Sequence, residues 1–89
     1  MGGIEVRAMD AAELKASGVD RWGIWEKEPS EFDWVYTDEE RCYIIEGKAR
    51  IVTDRGSVEI KKGDYVVLPR GLACRWQVTE GIRKYYSFV

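Results

Sequence analysis

Short runs of alternating polar and apolar residues, separated by turn residues, dominate the chain. Residues 31–36 read Glu-Phe-Asp-Trp-Val-Tyr, which puts Phe32, Trp34 and Tyr36 on one face of a strand. Thr37 to Glu39 supply a turn. Residues 40–45 alternate at first and then run apolar, and Gly47 is predicted to be the corner of a hairpin whose second arm is 48–53. Asp54-Arg55-Gly56 predicts a three-residue hairpin loop with Gly in the last place. Residues 57–61 return with Val58 and Ile60 on one face, and Lys62-Gly63-Asp64 turns the chain again. Residues 65–68 form a buried strand ended by Pro69, and Pro69-Arg70-Gly71 is a tight turn. Residues 73–78 and 82–89 are predicted as two final strands. Upstream, 22–27 is a strand ended by Pro29, and 4–9 is a short edge strand. The helical signal is Asp10 with Glu13 three residues on, a capping-box-like pattern; one or two turns follow, and Gly18 stops them.

Short strands with turn signals every several residues indicate an all-β sandwich or barrel. At 89 residues the chain is one domain, with the N-terminal strand and short helix in 1–21 and the barrel in 22–89. Charges nearly balance at net −2, which leaves no basic footprint for nucleic acid. No run approaches the ~18 apolar residues of a membrane span, and the first residues have no charged-then-apolar leader design. A soluble cytoplasmic protein is the expectation. Cys42 and Cys74 are then free, reduced thiols. The chain has no His, which removes the commonest metal ligand and the commonest general base.

Glu40 opens a strand whose neighbours are apolar, and a carboxylate there needs a partner or a task. The turn skeleton around it resembles the cupins, small jelly-roll barrels. The first cupin motif has two His separated by one residue, then Glu, then Gly seven after it. Trp34 and Tyr36 stand in the histidine places, with Glu40 and Gly47 at the Glu and Gly; the motif's opening Gly falls at Glu28. In the second motif Gly63, Pro69 and Gly71 match, Cys74 replaces the His and Val78 the Asn. Residues 22–88 resemble the branch related to ureidoglycine aminohydrolase and an ethanolamine-utilisation protein, and in particular its small single-domain members. The resemblance implies a cupin-like jelly-roll and a homodimer. The surplus of large aromatics points the same way, with Trp22, Trp25 and the N-terminal segment as candidate contacts. With these substitutions no histidine-bound metal and no cofactor is expected.

The resemblance implies that Trp34, Tyr36, Glu40 and Cys74 converge inside the barrel. Trp76, two residues beyond Cys74, shares that face, and Cys42 stands in the same relation to Glu40. In the last strand Ile82, Lys84, Tyr86 and Phe88 form one face, which places Lys84 inside within reach of Glu40. Glu40 is a general acid/base or an anchor for a polar ligand; the alternative is an ion pair with Arg41, Arg75 or Lys84. Cys74 is a nucleophile or a soft metal ligand, the alternative being a small buried hydrophobe. Trp34, Tyr36 and Trp76 are a stacking floor or plain core, while Trp22, Trp25 and Phe32 are core or interface. Two functions follow. The first is a small-molecule-binding cupin, catalytic or not, acting on a small polar metabolite through Glu40, Cys74, Lys84 and the aromatic walls. The second is a non-catalytic interaction module whose barrel is filled by its own aromatics.

Overall fold

The computed structural model describes residues 3–89. β1 (Glu5–Ala8) leads into α1 (Ala11–Ser17) and a single 3-10 turn over Val19–Arg21. Asp10 caps α1 by accepting from the Glu13 N–H, and Gly18 ends it in the left-handed conformation. Six strands follow: β2 (Gly23–Lys27), β3 (Ser30–Val35), β4 (Glu40–Thr53), β5 (Gly56–Lys61), β6 (Asp64–Leu68) and β7 (Ala73–Phe88). All pairings are antiparallel. No helix among the described residues is long and apolar enough to cross a membrane.

β4 and β7 are each long enough to serve two layers. The first half of β4 lies between β6 and the second half of β7, with β1 and β2 outside them. The second half of β4 lies between β5 and the first half of β7, with β3 beyond. The two layers face each other in jelly-roll fashion around a core that includes Ile44, Ile51, Ile60, Leu68, Trp76 and Ile82. β1 is hydrogen-bonded to β6 and so belongs to the barrel sheet, although it comes from the segment read as preceding the barrel.

Two predicted breaks are not breaks. Gly47 is no hairpin corner: β4 runs straight through it, and the 48–53 arm pairs with β5 and β7 instead of folding back. Likewise 73–78 and 82–89 are one strand, β7. At the bend the β4 register against β7 shifts three times between Ile44 and Ala49. The inward positions therefore change parity, from Glu40, Cys42 and Ile44 to Ala49 and Ile51. A bulge of this kind lets a strand turn into the opposite layer while keeping its apolar face inside. Gly47 makes the crossing possible, having φ +93° and lying so close to Gly81 that a Cβ would run into the Gly81 carbonyl oxygen. The loop after β4 is also shorter than predicted. Thr53 pairs with Gly56, leaving Asp54 and Arg55 as a two-residue connection.

Gly47→Ala meets both the left-handed backbone and the Gly81 carbonyl. Gly63→Ala meets the same φ of +93° with open space around it. Chemical denaturation should show a loss of about 1–2 kcal/mol for Gly63→Ala. For Gly47→Ala it should show more than ~3 kcal/mol, among the larger single-substitution effects. Equal losses would mean that the β4–β7 crossing is not a tight contact.

Candidate functional site

The site is built where the turn before β4 meets the second half of β7. Tyr36, just past β3, is pinned by its backbone. Its N–H donates to the Leu72 carbonyl at 2.9 Å, and its own carbonyl accepts from the Gly71 N–H at 2.7 Å. The phenol is thereby turned inward. Glu40 opens β4 between Leu68 of β6 and Phe88 of β7, with the Val89 N–H on the Glu39 carbonyl closing the corner. Lys84 pairs with Ile44, two inward positions along from Glu40, with Cys42 between. Its stem therefore runs through the interior to the carboxylate.

All three side chains are buried: Tyr36 is 3%, Glu40 2% and Lys84 5% exposed. Tyr36 Oη donates to Glu40 Oε1 at 2.7 Å, and Lys84 Nζ donates to Glu40 Oε2 at 2.7 Å. The ammonium also lies 4.8 Å from the Trp25 ring centroid and 4.5 Å from that of Trp76, cation–π distances that supplement the ion pair. Burial first, and then the Glu40 charge, push the Tyr36 hydroxyl far above its ordinary range, so it stays a protonated donor. Of the three bases considered for Glu40, Lys84 is the partner. Arg41 bonds to Glu39, and Arg75 to Glu31 and Asp33, at the surface.

A cavity of about 220 Å³ opens above this triad. Trp25, Phe32 and Trp76 form one wall; Phe32 and Trp76 are stacked within 5° of parallel, and Trp25 meets both edge-on. Tyr86 and Phe88 of β7 form part of the other wall. Trp34 and Phe88, 49% and 50% exposed, stand at the mouth. Trp34, Tyr36, Glu40, Trp76 and Lys84 are thus brought together as the sequence implied. Trp25 and Phe32, read as core or interface, pack against the core and also wall the cavity. Tyr86 and Phe88 had been placed on the Lys84 face without a role, and their alternation with Lys84 was the signal that could have found them. Trp25 had no such signal, because its place depends on pairing with Lys84 across β2 and β7.

Cys74 faces inward but does not line the cavity. Its thiol donates to the Trp34 carbonyl at 3.6 Å, and burial raises its pKa. Cys42 is fully buried, and desolvation, opposed by the Lys84 charge, pushes its thiol up to about 12. Both cysteines are free, and neither is poised as a thiolate nucleophile.

The fold now has its relatives. The EutQ-like cupin domain model matches residues 14–86. The chain belongs to the EutQ-like cupin domain family. A DUF861 family protein from Thermotoga maritima is 45% identical over 98% of this chain and 100% of its own, with a TM-score of 0.93. A DUF861 protein of unknown function from Pseudomonas syringae pv. tomato is 29% identical, with a TM-score of 0.69; the match covers 75% of this chain and 29% of that one. The Clostridium difficile EutQ protein shares the fold at 23% identity, over 96% of this chain and 66% of its own, with a TM-score of 0.69. No curated protein matches the chain.

The cupin fold implies a metal, and the donors here do not fit one. No three His, Cys, Asp or Glu side chains come together among the described residues. The indole of Trp34 cannot ligate and Tyr36 holds its proton. Both Glu40 oxygens are already engaged, one of them by a cation. Breaking a buried ion pair from one side leaves an uncompensated charge, at a cost of ~3–5 kcal/mol. Lys84→Met should lose stability on that scale. Glu40→Gln combined with Lys84→Met should lose less than the two singles together, by ~2–3 kcal/mol. Denaturation of the four proteins measures this coupling, and additive losses would mean the pair is not energetically joined.

Proposed function

We propose that this cupin binds a small organic molecule in the cavity over Glu40, with Lys84 and Tyr36 at the floor and Trp34, Trp76 and their aromatic neighbours as walls. One observation carries the reading: the aromatics do not fill the barrel but surround an open space that ends on a buried polar triad. A concave, mostly apolar site with a few convergent polar groups is the usual form of a small-molecule site. Glu40 is the group available for acid–base work, and Cys74 supports the wall through Trp34. No metal or other cofactor enters the reading. A place in the branch related to ureidoglycine aminohydrolase is part of the proposal and rests on the likeness of the segments 34–47, 63–64, 69–76 and 80–84. A cytoplasmic location is part of the same proposal and rests on composition.

A thermal-shift screen of metabolites, ring fragments and divalent metals tests this. A ligand at ~100 times its dissociation constant stabilises by ~2.7 kcal/mol, which for a domain of this size raises Tm by roughly 10–20 °C. Flat ring compounds should give such shifts, and Trp76→Leu should abolish them. Shifts with metals alone would overturn the organic reading.

A second reading, that of an interaction module, is favoured by the outer face. Tyr65, Tyr43, Tyr85 and Ile24 lie in one row across β6, β4, β7 and β2, none of them buried. Tyr43 and Tyr85 stack at 6.4 Å. Such a row suits a homodimer contact better than Trp22 or Trp25 does. Trp22 is half-buried near Tyr65, and Trp25 is in the cavity wall. Light scattering should give a dimer at micromolar concentration, and Tyr85→Glu a folded monomer. A wild-type monomer there would remove this reading.

A further inference from the structure

We infer that the ligand of this cavity is an uncharged molecule with a single planar ring that enters with a hydrogen-bonding polar group foremost. The inference rests on the ligand-binding reading above and adds the ligand's class.

Size comes first. A dry apolar cavity of ~150 Å³ accepts benzene. The 220 Å³ here holds one substituted ring and is below the usual ~300–1,000 Å³ of sites for drug-sized ligands. Shape agrees, because the Phe32 and Trp76 planes run parallel and Trp25 stands edge-on to both. A flat ring finds both face and edge contacts on such a wall.

Charge decides next. Glu40 and Lys84 are the charged residues lining the cavity, and they are paired to net zero at 2.7 Å. A ligand carrying a net charge would leave one charge uncompensated in a desolvated site, which a neutral ligand avoids. Direction follows from burial. The polar groups are at the floor, whereas Trp34 and Phe88 at the mouth are half exposed. The ligand's polar end therefore goes in first.

The hydrogen-bond inventory sets the nature of that end. An ionised carboxylate has about four acceptor sites, and Tyr36 and Lys84 use two of those on Glu40. The Tyr36 hydroxyl has spent its proton on Glu40, and the Trp76 indole N–H is a donor toward its oxygen. Lys84 gives one N–H to Glu40 and turns its charge toward the Trp25 and Trp76 rings. The floor thus keeps spare acceptor sites on Glu40 and spare N–H donors on Lys84, and a neutral ligand group that both donates and accepts matches it.

Three molecules of nearly one shape separate the terms: benzamide is neutral, benzoate anionic and benzamidine cationic at pH 7. Toluene adds the ring without a polar group. Each is titrated into the wild-type chain, read by tryptophan emission and by saturation-transfer NMR. Benzamide should bind at least tenfold more tightly than benzoate, benzamidine or toluene. Benzoate or benzamidine binding as tightly as benzamide overturns the neutral class and leaves the cavity as a binding site. Toluene equal to benzamide overturns the polar anchor and again leaves the cavity. No binding by any of the four overturns both this inference and the binding reading. In Glu40→Gln the Lys84 charge is unbalanced, so benzoate should overtake benzamide; if that variant does not fold, the wild-type series decides alone.

Discussion

The contact between Glu40 and Lys84 is the constraint around which the interior is arranged. Removing two such charges from water costs several kcal/mol per ion, recovered only with close geometry and further hydrogen bonds. Both conditions are met: each carboxylate oxygen has a donor at 2.7 Å, and the ammonium has two indole faces near it. Satisfying the pair places Tyr36, Trp25 and Trp76, and those three rings are much of the cavity. The polar contact and the aromatic space above it are therefore one structural solution.

That solution requires strands that cross from one layer to the other. Lys84 and Trp76 lie on the same strand, β7, one in each layer, and β4 accompanies it through the same bend. β7 keeps its parity, with Trp76, Val78, Ile82 and Lys84 all inward, while β4 changes parity through its bulge. The difference is geometric. β4 absorbs the register shifts at its bend, and Gly47 against Gly81 is, among the described glycines, the place where backbone comes close enough to exclude a side chain.

Much of this was legible in the sequence, and the misses have definite causes. The inward face of the last strand, with Lys84 beside Glu40, followed from alternation because β7 has the same inward parity on both sides of its exposed stretch 79–81. The hairpin assigned to Gly47 failed because a glycine at positive φ marks a turn and a bulge equally well. Only the partner strand distinguishes them, and Gly81 is 34 residues away in number. The part Trp25 takes in the cavity wall was hidden for the same reason: it comes from register with Lys84, a non-local fact. Cys74 was placed on the correct face, but its thiol points its hydrogen bond at the Trp34 carbonyl and not into the open space.

The substitutions at the cupin ligand places change what kind of chemistry the barrel can offer. Imidazoles supply lone pairs to an exchangeable metal. Trp34 and Tyr36 supply ring faces and a hydroxyl that keeps its proton. The charge balancing Glu40 is an ammonium tethered to β7, which cannot dissociate and has no empty orbital to accept a ligand's electrons. It can only donate hydrogen bonds and face aromatic rings. The donor set at this position therefore favours recognition by shape, ring contact and hydrogen-bond polarity over Lewis-acid activation, within the same turn skeleton of Gly47, Gly63, Pro69 and Gly71.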